Sequence, residues 1–247
     1  MRWRRLVSPI IILVLWEGVV DLGLVDPFFL PSPRIVIGAL SQSLFSGALI
    51  GDTASSLARL FVGYATAALA GILLGIGMAW FSALDDFFDP LIEAVRPISP
   101  IALIPLAILW FGIGNEQKVF IIWIATFFPI LINTYFGVKS TPLILVRAAR
   151  TLGAREIDVL VKVVIPGAMP HIFSGLRISL GIGFIVIIAS EMVAAKNGLG
   201  FMIIDAERLY KTDLMFAGIL TISVLGLCFD RALRVLRQRL LPWYQEL

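Results

Sequence analysis

The sequence predicts an all-α integral membrane protein, and three observations carry that prediction. Of its 247 residues, 59% are hydrophobic and only 15% charged, with a mean hydropathy of +0.96, whereas a soluble domain carries about 25% charged residues. The apolar residues gather into runs near the length of about 20 that crosses a bilayer as a helix. Between two of those runs lies a basic, amphipathic stretch, Arg147–Arg177. A membrane protein that keeps such a stretch on one side of the bilayer is presenting a docking surface.

Six spans are expected. MRWRRLVSPIIILVLW opens with the basic start and apolar run of a signal peptide, but Trp16, Glu17 and Gly18 offer no small-x-small cleavage site, so Leu6–Leu24 reads as an uncleaved first span. Pro27–Ser56 reads as a loop with a short surface helix, capped by Ser32 and opened by Pro33, its apolar face made by Ile35, Val36, Ala39, Leu40 and Leu44. Leu60–Ser82 is the second span. Its Gly71 and Gly75, with Ala67 and Ala70, form a small-residue face suited to close helix packing. A charged interval, Asp85–Arg96, precedes the third span, Ile98–Ile113. The fourth is Val119–Val138, the fifth Ile178–Ala195 and the sixth Leu214–Phe229, with an outer loop before it and a basic tail after it. The expected organisation is a first span plus surface helix over 1–56 and a core over 57–247 that contains the loop 139–170.

Charge sets the orientation, because Lys and Arg concentrate in cytoplasmic flanks. With both termini inside, only Arg34, Arg59, Lys118, Lys196, Arg208 and Lys211 of the 20 Lys and Arg residues fall outside. Both termini and the basic stretch are therefore expected in the cytoplasm. The single cysteine, Cys228, excludes an intrachain disulfide.

The basic stretch has a specific local grammar. Thr141 can cap a helix whose first residue is Pro142, and Leu145, Ala148, Ala149 and Leu152 share a face of it. Gly153 ends that helix where a left-handed residue is wanted. A second short helix follows, with Ile157, Leu160, Val161 and Val164 on one face and Arg155, Asp158 and Lys162 on another, and Pro166 is expected to stop it. The product is a knuckle of two helices around a glycine corner, with Arg150 and Arg155 left outside.

Other residues are candidates for a pathway. Pro97, Pro100 and Pro105 make the third span either a bent helix lining a pathway or a helix with prolines at its start and one packing kink; Pro129 adds a second bend in the fourth. Asn133 and Thr134 line a path or bond between helices. Glu191, an ionisable residue late in the fifth span, is a gate or a structural partner, with Arg59 a possible counterpart. His171, the only histidine, reads as an interface residue. No G-x-x-x-x-G-K-[ST], H-E-x-x-H, C-x-x-C or nucleophile elbow appears. Catalysis by this chain is not expected.

Ala148, Ala149, Gly153, Val163 and Pro166 reproduce the spacing of a known cytoplasmic signature, Ala-Ala, three residues, Gly, nine residues, an aliphatic residue, and Pro three further on. The stretch resembles the "EAA" motif of permease subunits of binding-protein-dependent ABC importers. LPSP (Leu30–Pro33), ALIPLAILWFGIG (Ala102–Gly114), FFPILINTYFGV (Phe127–Val138), GLRISLG (Gly175–Gly181) and NGLGFMI (Asn197–Ile203) look like the nitrate/sulfonate/taurine branch. Where the signature carries Glu, this chain has Arg147.

The resemblance implies a six-span bundle of the type I ABC importer permease kind, working as a homodimer in a bacterial inner membrane. It implies that two cytoplasmic ATPase subunits, which bind the ATP and Mg, dock on Arg147, Ala148, Ala149, Arg150, Gly153, Ala154, Arg155 and Pro166. It further implies a periplasmic or lipid-anchored binding protein that delivers a small anion. The chain itself would hold no cofactor and no nucleic acid. Two other classes stay open on the residues: an ion-coupled secondary carrier, for which repeats and midplane ionisable groups are the expected marks, and a membrane scaffold that recruits a soluble protein.

Overall fold

The computed structural model describes residues 4–242, with side chains from Ile10 onward, and among them every regular element is helical. In order these are α1 (Arg4–Asp21), α2 (Pro33–Phe45), α3 (Ala48–Trp80), α4 (Ser82–Val95), a 3₁₀ turn (Pro100–Leu103), α5 (Ile104–Phe111), α6 (Asn115–Lys139), α7 (Leu143–Thr151) and α8 (Glu156–Val159). A π turn (Leu160–Val164), α9 (Ile165–Ala194), α10 (Leu199–Arg208) and α11 (Thr212–Leu240) complete the chain.

Among the described residues, α3, α6, the continuous helix Glu156–Ala194 and α11 are each long and apolar enough to cross a membrane. A fifth span is possible only as a broken one, in which α4 and Pro100–Phe111 meet at 82°. This replaces the single third span expected over Ile98–Ile113. The 3₁₀ turn and α5 together rise only about 20 Å, short of a hydrocarbon core of about 30 Å, and the expected charged interval is helix α4. Pro100 opens the 3₁₀ turn and Pro105 falls in the first turn of α5, where a missing N–H costs nothing. Neither kinks a helix interior. The first expected span corresponds to α1, an 18-residue helix carrying Arg4, Arg5, Glu17 and Asp21, too charged to count with the others.

The chain divides into two compact units. One comprises the residues up to Leu57 with Glu191–Leu225. In it Arg34 pairs with Glu17 at 2.7 Å, tying α2 to α1, and Trp16 packs on Phe216 at 5.8 Å. Ile203 of α10 lies against Gly218 of α11, where an added methyl would fall 2.8 Å from it.

The other unit comprises Ala58–Ser190 with the chain from Gly226 on. Helix α6 is its axis. On one side α3 presents Gly63, Ala67, Gly71 and Gly75, one every four residues. A methyl at Gly63 or Gly75 would sit within 3 Å of the carbonyl oxygen of Val119 or Leu131, so the two backbones approach as closely as the small face predicts. On the other side Gly175 of α9 leaves room for Asn133, and Gly137 of α6 for His171. Ile121, Ile122 and Ile130, fully buried, fill the space between.

Candidate functional site

The glycine corner is present. Gly153 has φ +83°, its N–H bonds the Arg150 carbonyl at 2.9 Å, and the Ala154 N–H bonds the Ala149 carbonyl at 3.1 Å. These are the two bonds of a Schellman motif, which satisfies carbonyls that a helix end would otherwise leave unpaired. Across the corner Arg150 donates to Glu156 at 2.8 Å, and Lys162 pairs with Asp158 at 2.7 Å. The corner is seated on Val138, Val146, Val159, Val164, Ala168 and Ile172, with Ala149 and Ala154 against them. Arg147, Ala148 and Arg155 are exposed and Pro166 is half-buried.

Three details differ from the expected knuckle. Pro142, not Thr141, is the residue before the helix; no side chain caps it, and the buried Thr141 hydroxyl has no hydrogen-bond partner. The inward face of α7 runs through Val146 and Ala149, while Leu145 and Leu152 are 51% and 88% exposed. Ile157 and Val161 likewise face out. The corner therefore offers a partner an aliphatic surface as well as arginines. Finally, Pro166 does not stop the second helix. The preceding turn widens to i→i+5 bonding, with the Ile165 N–H on the Leu160 carbonyl. That wide turn absorbs the proline, and the helix continues to Ala194 without a break.

Glu191 is fully buried, near the C-terminus of α9. Its carboxylate accepts the Ser56 hydroxyl at 2.8 and 2.9 Å and the Gly200 N–H at 3.0 Å. Ser56 Oγ accepts the Leu199 N–H at 2.9 Å, and Asp52 accepts the Gly198 N–H at 2.7 Å. Three side chains thus satisfy three successive N–H groups at the start of α10. Negative charge is favoured there by the helix dipole. Gly198 has φ +116°, and a Cβ on it would fall 2.5 Å from the carboxylate. Arg59, the counterpart considered for Glu191, donates its Nε to Asn115 at 2.8 Å.

Pro129 and Asn133 meet in a cavity of about 370 Å³ that also includes Arg96, Pro100, Phe128 and Ile182. The Asn133 amide donates to the Pro129 carbonyl at 2.8 Å. Pro129 has no N–H for the Ala125 carbonyl one turn back, and Ala125 lines the same cavity. Pro105 and Glu191 are not part of it. Arg96 is the residue that sequence reasoning left aside, because it reads there as one more inner-flank cation. Its place four residues before Pro100, where the chain turns through 82°, brings the charge to the cavity.

Asp85 joins α4 to α6. It accepts the Tyr135 hydroxyl at 2.9 Å and pairs with Lys139 at 3.2 Å, while the Lys139 ammonium lies 5.4 Å from the Tyr135 ring centre. Among the described residues no cluster of three or more His, Cys, Asp or Glu side chains is placed to hold a metal ion.

Residues 67–242 match the family described as binding-protein-dependent transport system inner membrane component. The chain is 39% identical over 241 residues to the taurine transport system permease protein TauC of Escherichia coli, covering 96% of this chain and 88% of that one. It is 32% identical over 242 residues to a putative aliphatic sulfonates transport permease protein, SsuC, of Bacillus subtilis, covering 98% and 88%. Among solved structures, an inward-facing form of the MetNI methionine ABC transporter matches with a TM-score of 0.65 at 19% identity, over 77% of this chain and 97% of that one. At that identity the match shows the fold.

Proposed function

Because this chain belongs to the family of inner membrane components of binding-protein-dependent transport systems, we propose that it is the permease subunit of an ATP-driven importer whose solute is a small anion, a sulfonate such as taurine or a similar oxyanion. Two copies form the pathway, and both termini and the corner lie in the cytoplasm. Two ATPase subunits, which carry the ATP and Mg, dock on the corners. A binding protein delivers the solute from the outer side, and Pro129 and Asn133 line its way through. Pro105 starts a helix, and Glu191 clamps α10 rather than gating the path.

The observation that carries this reading is the corner itself. A rigid turn locked by two backbone bonds, seated on a buried aliphatic cluster and exposing arginines with aliphatic side chains, transmits a push from a soluble partner without deforming. ATP then moves solute only by favouring one orientation of the pathway over the other, through contacts that differ between the two.

Purification of the tagged full chain from its own cells, followed by reconstitution with ATP inside the vesicles, tests the reading. The expected result is a co-purifying ATPase and uptake of labelled taurine, alkanesulfonate or nitrate that requires both ATP and loaded binding protein. Uptake driven by an ion gradient alone would instead make the chain a secondary carrier. A co-purifying soluble protein with no uptake of any of these solutes would make it a scaffold.

A further inference from the structure

Two cavities meet at Arg96. The larger, of about 370 Å³, includes Pro129 and Asn133 of α6. The smaller, of about 110 Å³, has Tyr135 of α6 on one side and Asp89 and Glu93 of α4 on the other. Arg96 and Ile132 line both. Asp85, Asp89 and Glu93 are spaced four apart, so a row of acids runs up one face of α4 toward Arg96.

The members of that row differ in their partners. Asp85 is engaged by Tyr135 and Lys139. Among the described residues no hydrogen bond or ion pair reaches the side chain of Asp89, Glu93 or Arg96, and all three are exposed. Arg96 keeps right-handed helical backbone, with φ −51° and ψ −40°. Glu93, three residues before it, is therefore its neighbour on the helix surface, about 5–6 Å away at Cβ. A change of arginine rotamer spans that gap without moving the backbone. One guanidinium thus has an open cavity on one side and two acids within reach on the other.

We propose that Asp89 and Glu93 are positioning residues for Arg96, competing with the anionic solute for its guanidinium and so loosening the solute for release. The acids touch Arg96 and not the solute, and their charge bars an anion from the smaller cavity. A site on a pathway must hold its ion firmly enough for entry and weakly enough for departure. An unopposed guanidinium meets only the first requirement. The proposal rests on the import reading, to which it adds the step that frees the solute.

The test measures binding to the purified full chain, without ATP or binding protein, by calorimetric titration with taurine, methanesulfonate and nitrate. Asp89→Asn with Glu93→Gln is expected to bind at least one of these roughly threefold tighter or more, the worth of an exposed ion pair or two. Glu93→Asp keeps the charge and is expected to stay near wild type. Asp86→Asn removes an acid of α4 that lines neither cavity, and is expected to change binding by less than about 1.5-fold. In an Arg96→Gln background the double variant is expected to add nothing, whereas a merely structural effect of the acids would persist there. A double variant that binds none of the anions more tightly than wild type, absence of binding by both included, would overturn the proposal. So would an equal gain in the Arg96→Gln background. The import reading fails separately: ATP-dependent uptake by the wild type upholds it whatever the titrations show, and the titrations need neither ATPase nor uptake.

Discussion

Ser56 and Glu191, 135 residues apart in the chain, share one hydrogen bond in which the hydroxyl reaches both carboxylate oxygens at 2.8 and 2.9 Å. The same hydroxyl oxygen accepts the Leu199 N–H. Ser56 is thus a relay between a buried carboxyl group and the start of α10. Its single proton is committed to the carboxylate, which leaves its lone pairs for the helix.

Glu191→Gln is therefore expected to cost stability first. The Glu191 carboxyl oxygens accept from the Ser56 hydroxyl and from the Gly200 N–H. Both donors reach Oε2, so a carboxamide oxygen there keeps both bonds, while its NH₂ replaces Oε1 and loses the second contact with the Ser56 hydroxyl, at 2.9 Å. Loss of that buried contact is expected to cost about 0.5–1.5 kcal/mol. The measurement is the thermal unfolding midpoint of the solubilised chain. A variant that unfolds at the wild-type temperature yet fails in transport would make Glu191 a moving gate instead of a clamp.

Gly198→Ala should be more damaging still. Its φ of +116° is disfavoured for any residue with a Cβ, and the added methyl would meet the Glu191 carboxylate at 2.5 Å. Strain and displacement of the buried Glu191 side chain together are expected to exceed about 3 kcal/mol. Gly181→Ala and Gly226→Ala have nothing within 4 Å of the new methyl. Size-exclusion profiles of the three should show folded protein for the two controls and aggregate or loss for Gly198→Ala.

What was legible in the sequence and what was not divides along a physical line. Local grammar was legible: Gly153 ends a helix, and Gly71 and Gly75 mark a close approach, because each requirement is met within a few residues. The wide turn ahead of Pro166 was not, since a proline reads as a stop unless the helix has room to widen. The Ser56–Asp52–Glu191 clamp was invisible because its members become neighbours only through packing. Lys118 and Arg59 count in the sequence as outer-flank cations, yet they are 2% and 7% exposed; Lys118 reaches back to the Gly114 carbonyl at 2.7 Å. Charge counting records side, not burial.

Gly153→Val separates folding from coupling. Nothing lies within 4 Å of the position, so the penalty is purely that of holding a β-branched residue at φ +83°. The corner should rearrange while the membrane helices persist. Membrane insertion is expected to stay at wild-type levels, with co-purified ATPase and transport both falling roughly tenfold or more. Gly153→Asn, which tolerates the left-handed region, should recover most of both. If Gly153→Val transports fully, the corner does not carry the coupling.

Arg96 is expected to select the charge of the solute. It brings a cation to a cavity of about 370 Å³ otherwise walled largely by Ile98, Ile124, Phe128, Ile132 and Ile182, with the Asn133 amide among them. An apolar wall with one guanidinium favours an anion with a small apolar body, and repels a cation. Arg96→Gln removes the charge but leaves the backbone bond from its N–H to the Ile92 carbonyl, at 2.8 Å, available to hold the end of α4. Loss of one charge-assisted contact from an exposed guanidinium is worth about 1.4 kcal/mol, so anion uptake should fall roughly tenfold. Arg96→Lys keeps the charge without the planar fork and should fall between. Neither variant touches the corner, so the amount of co-purified ATPase should not change. Uptake by Arg96→Gln at the wild-type rate, with the same preference for anions, would show that the solute is selected before it reaches this cavity.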